Sequence, residues 1–124
     1  MPHVHVEYSA NIEALDKIAL LNDINQALIS TGLVKAEDVK TRITANSDYL
    51  IGLAGASSEH AYIHVQLAIL SGRTEADKAL LQDQVLKALH QFKASPHLHL
   101  QVQLSSELIE MSKVLYRKAV IEIA

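Results

Sequence analysis

Residues 3–8, His3-Val4-His5-Val6-Glu7-Tyr8, place an apolar side chain at every second position, the period at which successive side chains of a strand face opposite sides. The stretch predicts a strand with one buried face. Asn11 follows as a candidate helix N-cap. Leu15, Ile18, Leu21, either Ile24 or Asn25, and Leu28 then recur at helical spacing up to Thr31-Gly32, where the glycine supplies a stop. Alternation resumes with Val39, Thr41 and Ile43 on one face and Lys40, Arg42 and Thr44 on the other, the first face being β-branched, as strands favour. These elements make a strand-helix-strand unit.

The same order returns with an offset of about 60 residues, an internal repeat. Tyr62 to Ile69 alternates as Val4 to Val6 does, and Gly72-Arg73 leads into Thr74-Glu75-Ala76-Asp77, an N-cap with a carboxylate three residues on. Leu81, Val85, Ala88 or Leu89, and Phe92 carry the second helix, and Pro96 closes it before a strand predicted over His97 to Leu104. Between the units, residues 46–58 hold Gly52, Gly55 and three serines around Tyr49-Leu50-Ile51, a connection with room for a short strand or hairpin. The chain therefore reads as one domain over 1–124, with repeat units at about 2–45 and 61–104 and a tail over 105–124. The tail ends in the alternation Val120-Ile121-Glu122-Ile123, which suits either an added strand or a subunit contact. Two right-handed units of this kind predict an α/β fold of the two-layer sandwich type, a four-stranded mixed sheet with both helices on one face.

The other face of that sheet is unusual. Its alternate positions carry His3, His5, Glu7, Lys40, Arg42, His64, Gln66, His97, His99, Gln101 and Gln103, and histidine and glutamine outnumber the lysine and glutamate expected of a freely solvated surface. Such a face suits partial enclosure between subunits, which would also cover the open sheet edges. Composition narrows the function. A formal net charge of -3 lacks the basic excess of a nucleic-acid binder, and the absence of cysteine removes disulfides, thiolate catalysis and thiolate metal sites. The start of the chain lacks a signal-peptide pattern and no apolar run approaches the roughly 20 residues of a membrane span, so neither nucleic acid nor membrane is expected as a partner, and the cytoplasm is the expected compartment.

Pro2 directly follows Met1. A small second residue permits removal of the initiator methionine, and the proline nitrogen would then be a free secondary amine, a base instead of an amide. Pro2 heading a strand, the duplicated units, and Gly72-Arg73-Thr74-Glu75-Ala76-Asp77-Lys78 opening a helix together resemble the tautomerase superfamily. Within it the chain is most similar to 5-carboxymethyl-2-hydroxymuconate isomerases, through Pro2-His3, Val6-Glu7, Ser9, Asn11-Ile12, Thr31-Gly32, Thr41-Arg42-Ile43 and Gly72-Arg73-Thr74, with a weaker echo in Tyr116-Arg117-Lys118. The resemblance implies a cytoplasmic homotrimer that needs no cofactor and moves a proton in an unsaturated hydroxy di- or tricarboxylate during aromatic catabolism. It implies Pro2 as the catalytic base, Arg73 as a carboxylate ligand, and a second cation on the second strand supplied by a neighbouring subunit. The family's usual arginine falls on Lys40, with Arg42 one alternate position away, so either can serve.

Each of these residues also has a plainer reading. A proline is well tolerated at the first position of a strand, Arg73 alone would be a solvated residue at a helix entry, and Lys40 and Arg42 alone would be surface charges. A different chemistry competes as well: His3, His5 and Glu7 on one strand face, with His97 and His99 at the same spacing, match the residue types of a two-histidine, one-carboxylate metal site. A tautomerase for another enol or keto acid, and a trimer without activity, complete the alternatives.

Overall fold

The computed structural model describes residues 1–55, 58–92 and 99–123. Strand β1 (His3–Ser9) is followed by helix α1 (Lys17–Ser30) and strand β2 (Lys40–Asn46); strand β3 (His60–Leu70) by helix α2 (Glu75–Gln91) and strand β4 (Gln101–Met111). β1 pairs with β2 in parallel and β3 with β4 in parallel, while β1 and β3 join the two units antiparallel, giving the order β2-β1-β3-β4. The mixed sheet and two helices are those the alternation predicts.

Alternation decides which face is buried. Val4, Val6 and Tyr8 of β1 and Ala61, Ile63, Val65, Leu67 and Ile69 of β3 are buried, and Leu20, Ile24 and Leu28 of α1 pack into the same cluster with Leu81, Val85 and Leu89 of α2. Both helices thus cover one face. The α2 side is also tied to β4 by polar contacts: the Ser106 hydroxyl donates to Gln82 Oε1 at 2.5 Å, Gln82 Nε2 donates to the Ser106 carbonyl at 3.1 Å, and Lys78 Nζ lies 2.6 Å from both Glu75 and Glu110. Those carboxylates hold the Lys78 amine above its ordinary pKa.

Four local expectations are corrected. α1 is capped by Asp16, whose carboxylate accepts from Ala19 N at 3.1 Å, and not by Asn11, whose amide donates instead to the His60 carbonyl at 2.8 Å. The later start rotates the buried stripe to Leu20, Ile24 and Leu28 and leaves Ile18 75% exposed. The last strand runs on to Met111, because Leu104, Ser106 and Leu108 continue an inward alternation in which a serine replaces one apolar residue. Residues 46–55 and 58 contain no further strand. His97 and Pro96, like Ser57 of that connection, lie outside the described residues. Beyond Met111 the segment 112–123 forms a turn and then irregular backbone, not a strand.

The corrected helix face is testable by urea unfolding. Ile24→Ala should cost about 3 kcal/mol as a buried truncation, and Ile18→Ala less than about 0.5 kcal/mol as a surface one; equal costs would contradict the buried face of Leu20, Ile24 and Leu28.

Candidate active site

The pairing directions gather four chain segments at one end of the sheet. His3 lies opposite Lys40 of β2 and Ala68 of β3, and Leu70 lies opposite Met111 of β4. The start of β1, the start of β2, the end of β3 and the end of β4 are therefore neighbours. Pro2 is buried there, and its carbonyl accepts from Lys40 N at 3.2 Å. Its ring is thus held in the sheet.

Arg73 arrives from the β3 end. Gly72 has φ +111°, a left-handed conformation that favours glycine, and it turns the chain into Thr74, whose hydroxyl caps α2 by accepting from Asp77 N at 3.1 Å. The Arg73 guanidinium donates to the Leu33 carbonyl at 2.6 Å, which fixes it beside the loop that precedes β2. Lys40 Nζ sits 3.1 Å from the Asp38 carbonyl and 3.7 Å from Met1 Sδ. The tail after β4 returns to the same place: Tyr116 Oη is 2.9 Å from His3 Nε2, and Lys118 Nζ is 3.2 Å from Asp38 Oδ1.

The electrostatics follow from this crowding. Burial lowers the pKa of the Met1 amine, Asp38 opposes the shift, and the cations Arg73, Lys40 and Lys118 reinforce it. Burial likewise lowers the His3 pKa, with Lys40, Arg42 and the terminal amine adding to the effect. Asp38 is held below the ordinary carboxylate range chiefly by the Lys118 hydrogen bond. An amine here loses its proton more readily than one in water.

Of the residues singled out from the sequence, Pro2, Arg73 and Lys40 come together at this end. Arg42 stands further along β2 beside His5, on the exposed sheet face. Lys118, Tyr116 and Asp38 belong to the cluster although sequence reasoning gave them no role; the echo in Tyr116-Arg117-Lys118 was the available signal. The histidines are engaged separately, His5 with Thr44 at 3.0 Å, and His64 with Ser105 at 2.6 Å and Glu107 at 2.5 Å. Among the described residues no group of three or more His, Cys, Asp or Glu side chains is arranged to hold a metal, so His3, His5 and Glu7 do not form the site their spacing suggested; His97 lies outside the description. No helix among the described residues is long and apolar enough to cross a membrane.

The model of the 5-carboxymethyl-2-hydroxymuconate isomerase family matches residues 2–122. The chain belongs to that family. It is an isomerase, and its resemblance to the tautomerase superfamily holds in the fold. No curated protein matches the sequence. Among solved structures, a 5-carboxymethyl-2-hydroxymuconate isomerase from Deinococcus radiodurans is 26% identical with a TM-score of 0.82, over 95% of this chain and 88% of that one. A 5-carboxymethyl-2-hydroxymuconate delta-isomerase is 17% identical with the same TM-score of 0.82, over 98% and 89%. A fused 4-OT, an asymmetric trimer, is 18% identical with a TM-score of 0.71, over 94% and 91%. The last two likenesses concern the fold.

The charge environment at Pro2 is testable by titrating His3. Its imidazole should titrate below the about 6.5 of an exposed histidine, and Lys40→Met should move the midpoint upward, since a removed cation no longer disfavours the charged ring. NMR titration in which Lys40→Met lowers the midpoint, or leaves it in place, would contradict that cluster.

Proposed function

We propose that this isomerase, once Met1 is removed, moves a proton in an unsaturated hydroxy di- or tricarboxylate, 5-carboxymethyl-2-hydroxymuconate being the favoured substrate. Pro2 is the base, and Arg73 with Lys40 or Arg42 holds the carboxylates. The observation that carries this reading is the convergence of Arg73 and Lys40 on buried Pro2 at one end of the sheet, where burial and these cations lower the pKa of the adjoining Met1 amine. The family match and the isomerase structures support the substrate class.

Loss of Met1 converts the Pro2 amide into a secondary amine whose position stays fixed by the hydrogen bond of its carbonyl to β2. The Pro2 nitrogen takes the enol hydroxyl proton, the oxygen electrons form the keto C=O, and the conjugated double bonds shift by one position. The protonated nitrogen then returns a proton to the carbon where the electron pair arrives. Arg73 presents a planar fork that suits a carboxylate and fixes its orientation. The cations also offset negative charge that spreads through the conjugated system during transfer. No step requires a cofactor.

We further infer a homotrimer with sites shared between subunits. Among the described residues the sheet face carrying His5, Glu7, His64 and Gln66 is covered by neither helix and remains partly exposed, and the trimeric fused 4-OT has the same fold. Sedimentation equilibrium should give three times the chain mass of 13.6 kDa; a monomer at micromolar concentration would remove the basis for shared sites.

Kinetics test the chemistry. In the protein lacking Met1, Pro2→Ala should lower kcat about 100-fold or more while leaving residual turnover from the remaining primary amine. Arg73→Ala should lower kcat/KM by about 10- to 100-fold, the loss of one charge-assisted hydrogen bond. Because only the neutral amine accepts a proton, kcat/KM should rise with pH through the Pro2 pKa and then level off, at a midpoint below that of an exposed secondary amine. Full activity in Pro2→Ala would remove Pro2 as the base.

A further inference from the structure

Among the described residues, Arg73, Lys40, Lys118 and Asp38 act together on the Met1 amine before the start of β1, and the carboxylate is already engaged. Asp38 Oδ1 takes Lys118 Nζ at 3.2 Å, while among the described residues Lys40 hydrogen-bonds a carbonyl and a thioether, and Arg73 a carbonyl. A ligand with two carboxylates finds Lys40 and Arg73 outside any ion pair among the described residues. A third carboxylate meets Asp38, which repels it, and Lys118, which is occupied. We propose that Lys118 is the specificity residue for a tricarboxylate, parked on Asp38 in the free protein and transferred to the third carboxylate on binding. This inference rests on the proposed carboxylate site at Pro2.

The geometry suits a transfer. The Lys118–Asp38 pair is a single contact between partly solvated side chains, 38% and 28% exposed, and exposed pairs of this kind are weak. A flexible lysine can therefore exchange one carboxylate for another at little cost. The tail does not depend on that pair alone. Tyr116, two residues earlier, is held against His3 by a 2.9 Å hydrogen bond and a tilted ring contact with centroids 6.1 Å apart, so the backbone stays over the start of β1 while Lys118 changes partner. All three cations act on the Met1 amine, which places Lys118 in the same electrostatic neighbourhood as Arg73 and Lys40. The tail is then part of the site, and Asp38 serves as a counter-ion that keeps Lys118 occupied until a third carboxylate competes for it.

Saturated acids test the transfer without asking Pro2 to do chemistry. Tricarballylate is glutarate with a third carboxylate on its central carbon, so the ratio of their dissociation constants, measured by calorimetry on the protein lacking Met1, reports the third-carboxylate contact. The wild type should prefer tricarballylate by about tenfold, one charge-assisted contact. In Lys118→Met that preference should collapse toward one. In Asp38→Asn it should rise severalfold, because the competing acid is gone and Lys118 is free. A pair that only tied down the tail would predict the opposite for Asp38→Asn, with the preference falling or staying fixed. Either of those results, an undiminished preference in Lys118→Met, or a wild type that binds neither acid or both equally, overturns the assignment. Turnover of the enol acid, scored separately, tells whether Pro2 is a base, so the two readings fail independently.

Discussion

β1 and β3 run antiparallel through the middle of the sheet, with Val6 opposite Val65 and His3 opposite Ala68. Had the two units been joined in parallel, the start of β1 would lie beside the start of β3 and far from Gly72-Arg73. The antiparallel junction instead brings the first residue of one unit to the exit of the other unit's central strand. Each unit is itself parallel, so β2 begins and β4 ends at that same edge. Pro2, Lys40, Arg73 and the tail meet for one topological reason. The junction is stabilised by burial: Val4, Val6, Val65 and Leu67 are 0% exposed, and such residues are worth roughly 1.5–3 kcal/mol each when removed from water.

The two faces of this sheet divide the work. The helix-covered face supplies the hydrophobic stabilisation, and its alternation compels the intervening side chains onto the open face. There His5 bonds Thr44 and His64 bonds Ser105 and Glu107, so these two imidazoles have side-chain partners on neighbouring strands. A histidine so occupied is poorly placed to give up a lone pair to a metal, and it satisfies polar groups on a face that a second subunit could cover. The expected enclosure and the observed pairing rest on the same residues.

What was legible in the sequence was what depends on local periodicity. The alternation in His3–Tyr8 and Tyr62–Ile69 located both central strands, and Gly72 with Thr74 located the entry to α2, because a left-handed glycine and a hydroxyl cap are local devices. The α1 cap was misplaced because Asn11 and Asp16 are both good caps, and only tertiary structure reveals that Asn11 is used by the His60 carbonyl. β4 was cut short because Ser106 and Glu110 face α2 at positions where apolar residues are expected, Ser106 bonded to Gln82 and Glu110 to Lys78. In the candidate site, Arg73 and Pro2 carried recognisable motifs. The contact between Asp38 and Lys118 spans 80 residues and has no local period, so only the family echo in Tyr116-Arg117-Lys118 pointed to the tail.

On the proposed reading, the cations around Pro2 act twice, and the two actions are coupled through the substrate. In the free site burial first, and then Arg73, Lys40 and Lys118 against the opposing Asp38, disfavour the protonated form of the terminal amine. That same depression makes the amine a weak base. Carboxylates that neutralise the cations withdraw part of the depression, because each compensated charge no longer opposes protonation. The amine therefore becomes more basic once the substrate is seated, when it has a proton to accept. A proline anchored through its carbonyl to β2 keeps the lone pair fixed while its basicity changes, so the geometry of transfer and its driving force are set by separate parts of the structure.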